Sequence, residues 1–325
     1  MKSIWREIVM ALIMGMLLPG ILLNWAVEER EPEPEQTQPW PEETGAPAVK
    51  VPLNMKLRQR DGTTVTMDMD EYLVGVVLAE MPADFEPEAK KAQAVVARTF
   101  ARKAAVTSGK HGDGSVCTDS ACCQAYITDE EYLAKGGSQW AVDGARAAVE
   151  ATSGYVLTYE GNLIEATYFS CSGGLTEDAV AVWGTDFPYL RSVASPGEEE
   201  AVHYTDTVTF QKDEFADRLG VSLTGPSSDW IGAVTYTSGG GVDTIRIGGK
   251  SFSGTEVRSL LGLRSTVFSI SAGEDTVTVT TRGFGHRVGM SQYGADAMAA
   301  AGSTYDEILA WYYQGTTLEL TKPDG

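Results

Sequence analysis

Residues 8–27 form a nearly continuous apolar run, interrupted only by Gly15, Pro19, Gly20 and Asn24. No other feature limits so strongly what the chain can fold into. A buried globular helix would normally show a polar face, and this run has none. About twenty apolar residues suffice to cross a bilayer. Lys2 and Arg6 precede the run and Glu28 and Glu29 follow it, a charge bias that leaves the rest of the chain outside the cytoplasm. A cleaved signal peptide is the competing reading, but the run is long for one and no small-x-small site precedes Glu28. Residues 1–27 are therefore expected to be a single transmembrane anchor in the cell membrane. Residues 28–50 hold seven Glu against one Arg and one Lys, with several prolines. Such a segment cannot bury apolar surface and its charges repel, so an extended linker is expected. Folding is left to about 275 residues, enough for one large or two small domains.

Across the whole chain the formal net charge is -20. A nucleic-acid partner would need a basic stripe to neutralise phosphates, and none is visible. A glycan makes no such demand, because hydrogen bonds and aromatic faces suffice. The period of apolar residues predicts an α+β chain. Two short strands flank Asp61-Gly62. Asp70 is placed to cap a helix that ends at Met81-Pro82. Pro87 starts a second helix that stops near Gly109, and residues 138–152 form a third. A hairpin is expected from residues 155–159 and 164–169, turning at Gly161-Asn162. Short strands (234–236, 244–247) and helices (212–219, 254–261) then alternate. Residues 196–268 are accordingly read as an inserted α/β subdomain, and residues 51–195 plus 269–322 as the mixed helix and sheet core. A strand over 275–281, an Ala-rich helix ending at Ala301, and a helix over 305–313 with the capping box Thr304/Glu307 complete that core.

Four places could carry chemistry. Glu80 ends the first helix behind apolar neighbours. Lost water would raise its pKa and keep it protonated, as a general acid must be; a solvated helix-end carboxylate is the plainer reading. The loop 283–294 sets His286, Ser291, Gln292 and Tyr293 among glycines that let a ligand approach closely; a structural turn with a buried His competes. In residues 168–174, Tyr168, Ser170 and Ser172 could meet a sugar. Cys171 reads as a small buried residue rather than a nucleophile, since no His pairing is evident. His111, Cys117, Cys122 and Cys123 form a set of soft ligands suited to a closed, structural zinc. A disulfide from Cys117 to either neighbour is the alternative outside the cytoplasm, whereas the adjacent Cys122 and Cys123 could hardly pair with each other.

Several segments, in order, resemble the SpoIID/LytB family. They are Glu71-Tyr72-Leu73-Val74-Gly75 through Glu80-Met81-Pro82, and Glu88-Ala89-Lys90 through Ala97-Arg98-Thr99. The loop from Phe169 to Thr176, the stretch Val257 to Ser265, and Gly285-His286 through Gly294 also match. The likeness spans about residues 51–320. It implies a lytic transglycosylase acting on peptidoglycan during forespore engulfment, with Glu80 as the catalytic acid/base and no catalytic cofactor. It also implies a preference for strands stripped of stem peptides, a partner amidase and a membrane scaffold protein. Some members carry a His/Cys zinc site in the loop that corresponds to 111–123; this chain has Cys122 where a His is expected, and Arg287 where Gly is usual. The implied reaction needs one carboxylate. Glu80 protonates the glycosidic oxygen between N-acetylmuramic acid and N-acetylglucosamine, then takes the proton of the muramic C6 hydroxyl as a 1,6-anhydro ring closes. Arg98, Tyr168, Ser170, Ser172, His286, Ser291, Gln292 and Tyr293 are the expected substrate contacts. The rival from another class is a binding module, without catalysis, that recruits an amidase.

Overall fold

The computed structural model describes residues 54–321, and two helices without a solvent face organise it. Helix α1 (Met69–Glu80) buries Met69 and every residue from Tyr72 to Leu78. Helix α2 (Pro87–Thr107) buries Ala89, Ala92, Ala94, Val95, Val96, Ala97 and Ala101. Its alanines let neighbours approach from several sides. Helices α1, α4 (Gln139–Ala151), α8 (Gln292–Ala300) and α9 (Tyr305–Tyr312) all pack against α2, as does strand β4 (Tyr155–Tyr159). The expected anchor and linker, residues 1–50, lie outside the described residues. Among the described residues no helix is long and apolar enough to cross a membrane.

Around this core the sheets are small. Strand β1 (Asn54–Arg58) pairs antiparallel with β2 (Thr64–Asp68) and parallel with β3 (Val116–Cys117). The short helix α3 (Asp129–Ala134) follows. Strand β4 pairs with β5 (Asn162–Leu163) and with β14 (Thr317–Leu320), so the end of the described chain closes over its middle. The expected strand 164–169 is divided. Its first half leaves the hairpin, and β6 (Tyr168–Phe169) pairs in parallel with β13 (Met290–Ser291) instead. Helix α5 (Ala179–Trp183) comes after β6.

A second apolar cluster forms from Phe210, Phe215, Trp230, Ile245, Ile247, Val257, Val277 and Val279, among others. Strand β7 (Thr205–Gln211), helix α6 (Lys212–Leu219) and the hairpin β8 (Ile231–Tyr236) and β9 (Val242–Ile247) contribute to it. So do β10 (Lys250–Ser253), α7 (Gly254–Leu261), β11 (Val267–Ala272) and β12 (Thr276–Arg282). Strand β12 lies between β11 and β7. The second cluster therefore runs past the boundary at 268 read from the sequence, because Val277 and Val279 alternate inward toward it.

The cap of α1 is also corrected. Asp68 rather than Asp70 accepts from the first-turn amides of Asp70 and Glu71. That releases Asp70 to meet Arg98, at 3.1 Å. Arg98, an expected substrate contact, is fully buried. Its guanidinium donates to the carbonyls of Thr152 at 2.7 Å, Val149 at 3.3 Å and Tyr155 at 3.4 Å. It fastens α2 to the end of α4 and the start of β4, and no substrate can reach it. Arg98→Met would remove the buried donor that these carbonyls and Asp70 share. It should destabilise the fold by about 3 kcal/mol, read as a lower urea midpoint with an unchanged slope.

Candidate active site

Glu80 is the last residue of α1, which Met81-Pro82 terminates as Met81 N–H donates to Val77 O at 3.0 Å. Burial raises the carboxyl's pKa; hydrogen bonds from Ala125, Tyr168 and Gln292 oppose this only in part. The negative end of the helix dipole acts in the same direction as burial. Ala125 N–H donates to Glu80 Oε1 at 2.7 Å and the Tyr168 hydroxyl donates to the same oxygen at 3.1 Å. The Gln292 amide has its best geometry to the Glu80 backbone carbonyl, at 3.2 Å, rather than to the carboxylate. Behind Tyr168 the chain of bonds continues. Gln124 Nε2 donates to the Tyr168 oxygen at 3.3 Å, and the Tyr72 hydroxyl donates to Gln124 Oε1 at 3.0 Å. Burial, then the nearby Glu80 charge, pushes the Tyr168 phenol well above its ordinary pKa. Tyr168 is thus a fixed donor to Glu80.

The placement of Ala125 depends on a glycine. A Cβ on Gly75 would fall 2.4 Å from the Tyr126 ring and 2.5 Å from Ile127 O. Only with a bare backbone there can residues 125–127 lie along α1, held by Ile127 N–H to Gly75 O at 3.2 Å.

Glu80 opens into a cleft of about 880 Å³ whose walls include Tyr168, Phe169, Ser170, Trp183, His286 and Gln292. Of the expected contacts, Tyr168, Ser170, His286 and Gln292 thus share one cavity with Glu80. The His286 ring stands 5.7 Å from Phe169 and 5.4 Å from Trp183. Val288 N–H donates to its Nδ1 at 3.1 Å. Burial first, then the charges of Arg258 and Lys110, pushes its pKa down to about 4, against a bond to the Tyr168 backbone. His286 is a neutral wall of the cleft that props Tyr168. Gly289 lets the two loops meet: its φ is +84°, and a Cβ there would fall 2.1 Å from Thr167 O.

Other expected contacts lie elsewhere. Ser172 and Ser291 are fully buried, and both bind the buried carboxylate of Glu198. Glu198 Oε2 accepts from Ser172 Oγ at 2.7 Å and from the amides of Ser172 and Gly173 at 2.8 and 2.9 Å. Its Oε1 accepts from Ser195 Oγ at 2.7 Å and from Ser291 Oγ. Ser291 also caps α8, the helix that begins with Gln292. Tyr293 turns its ring edge-on to Phe85, at 4.9 Å, and does not line the cleft. Arg287, which stands where the resembled family usually has Gly, is not part of the cleft wall. Its Nε donates to Ser172 O at 2.8 Å and its Nη2 to Leu175 O at 2.7 Å and to Gly239 O, beside Glu177 at 3.6 Å. Its φ is 67°, a left-handed conformation in which glycine is the easy residue. Trp183, Phe187, Gln124 and Glu198 were not expected. Nothing in their spacing distinguishes them, and Glu198 sits in an acidic run that reads as solvated surface.

The ligand atoms of His111, Cys117, Cys122 and Cys123 lie within 4.8 Å of one another. His111 Nε2 is 3.5 Å from Cys123 Sγ and 3.8 Å from Cys122 Sγ, and the two sulfurs are 3.9 Å apart. Tetrahedral zinc with Zn–S bonds of ~2.3 Å sets its ligand atoms roughly 3.7 Å apart, so the four donors fit the ion. Ser120, Ala121, Cys122 and Cys123 also border the cleft, and Gln124 and Ala125 follow directly.

The model of the stage II sporulation protein (SpoIID) family matches residues 58–159. The chain is similar to stage II sporulation protein D of Bacillus subtilis (strain 168), 43% identical over 266 residues, covering 80% of this chain and 77% of that one. The corresponding protein of Bacillus amyloliquefaciens is 39% identical over 320 residues, covering 94% and 92%. A protein named amidase enhancer from Bacillus subtilis (strain 168) is 32% identical over 303 residues, covering 76% of this chain and 40% of that one.

Because the fold raises the Glu80 pKa, its stabilising share is complete below the unfolded-state value and is lost as pH rises through the folded value. Glu80→Gln has no such titration. Urea midpoints should therefore show the variant gaining on the wild type as pH rises above the ordinary glutamate range. A constant difference across that rise would contradict the burial assigned to Glu80.

Proposed function

The chain belongs to the stage II sporulation protein family, and from that footing we propose that it is a lytic transglycosylase of peptidoglycan, with Glu80 as acid and then base. The observation that carries this reading is a carboxyl whose pKa burial raises, at the wall of a sugar-sized cleft. The other carboxyl in that wall, Glu165, is tied to Lys103 at 2.7 Å. A hydrolase of the usual two-carboxylate type would need a second free acid; ring closure by the substrate's own hydroxyl does not.

In this mechanism Glu80 gives its proton to the glycosidic oxygen as the bond from muramic C1 breaks. Positive charge spreads over C1 and the ring oxygen, and the new carboxylate faces it. The C6 hydroxyl attacks C1 and loses its proton to Glu80, which restores the acid and leaves a 1,6-anhydro end without consuming water. Tyr168 and the Ala125 amide steady the carboxylate while it is charged, since both donate to Oε1. Gln292 fixes the backbone beneath it. Trp183, Phe169 and neutral His286 offer faces for the apolar sides of sugar rings, and Ser170 offers polar groups beside them.

His111, Cys117, Cys122 and Cys123 would hold a structural zinc, and the ion would secure the loop that carries Gln124 and Ala125. The relative named amidase enhancer favours a second reading, in which the chain binds glycan and stimulates an amidase. The two can coexist, as a strand-cleaving enzyme with an amidase partner. A membrane scaffold and anchoring through residues 1–27 with the cleft outside the cytoplasm complete the proposal.

Mass spectrometry of denuded glycan incubated with the full chain should show 1,6-anhydro ends. Glu80→Gln should lower their rate of formation by about 10²–10⁴-fold. Intact strands that are bound by the wild type would refute catalysis and leave the amidase reading. Elemental analysis should find one zinc per chain, absent in His111→Ala, and a chelator should lower the melting temperature by roughly 5–10 °C.

A further inference from the structure

A side pocket of about 320 Å³ branches from the cleft, sharing Phe100, Lys110, Cys123 and Glu165 with its wall. Phe100, Ala104 and Ile164 make it largely apolar, and Lys103, Lys110 and Glu165 supply its charges. Lys103 and Glu165 neutralise each other at 2.7 Å. Lys110 is different. It forms no salt bridge among the described residues, and its ammonium donates to the Cys122 carbonyl. An ammonium has three donors, so two remain at the mouth of the pocket. The charge is felt as far as His286 across the cleft. A branched cavity with one cation that no carboxylate pairs is shaped for a branched ligand with one anion.

The two sugars of a peptidoglycan strand differ only in a branch, the 3-O-lactyl group of N-acetylmuramic acid. Its carboxylate is free where no peptide is attached, and is a neutral amide where one is. An unbranched groove would read both sugars alike. We infer that the side pocket receives the lactyl branch of muramic acid, with Lys110 as the cation that binds its free carboxylate. This rests on the reading that the cleft takes a glycan strand. It adds the feature that sets register, because seating the branch decides which sugar presents its C1 to Glu80.

The test measures binding in the full-length Glu80→Gln chain, where no cleavage intrudes. Denuded oligosaccharides are titrated beside the same oligosaccharides with their lactyl carboxylates converted to primary amides by carbodiimide and ammonia. The amides should bind roughly fivefold to tenfold more weakly, the range for one partly exposed charged hydrogen bond. Adding Lys110→Gln should abolish that preference, and adding Lys110→Arg should keep it. A loop merely disturbed by the substitution would weaken both ligands alike in Lys110→Arg as well. Equal binding of the two forms to Glu80→Gln, or a preference that survives Lys110→Gln, would overturn the assignment. A wild type that makes no anhydro ends would refute the transglycosylase while leaving this comparison intact.

Discussion

The site depends on a helix that has no outer face. Helix α1 is covered from Tyr72 to Leu78, so its last residue emerges from the core rather than from solvent. Dehydration of Glu80 is therefore a property of the whole packing around α1 and not of a local pocket. The same burial fixes Tyr72 at the far end of a hydrogen-bonded line through Gln124 and Tyr168 to the carboxyl. A polar chain of this kind holds its members in place only where water cannot compete for them. What α1 contributes to chemistry is thus inseparable from what it contributes to the core.

Two buried charges keep the loops in place around that helix. Glu198 gathers hydroxyls and amides from residues 172–173, Ser195 and Ser291, and leaves no oxygen unpaired. Arg287 does the converse for carbonyls at Ser172, Leu175 and Gly239. Each satisfies several backbone groups that irregular chain would otherwise leave unpaired. Between them they hold glycine-rich segments in one arrangement without a sheet to do so.

Much of this was legible from the residues. Apolar period, prolines and caps place α2, α4, α6, α7 and α9 close to where they stand, and Thr304 and Glu307 do form a capping box. The carboxyl at the end of an apolar helix made Glu80 a candidate, and only the resemblance of the surrounding segments singled it out. What could not be read was which polar residues face inward. Ser172 and Ser291 look like sugar contacts because serine is usually wet, but both answer a carboxylate far from them in sequence. Arg98 looks like a surface or substrate cation until the carbonyls of α4 and β4 surround it. Aspartates two residues apart compete for the cap of α1, and only the position of Arg98 decides between them. Trp183 and Phe187 join the cleft through tertiary packing that leaves no local signature.

The parallel pair of β6 and β13 joins Tyr168 to Met290, with the entire second apolar cluster spelled out between them. A chain halted at Arg282 would already hold Glu80, Tyr168 and the cysteine loop, yet lack His286 and Gln292. During synthesis, the cleft therefore closes only when almost the last of the described fold has arrived.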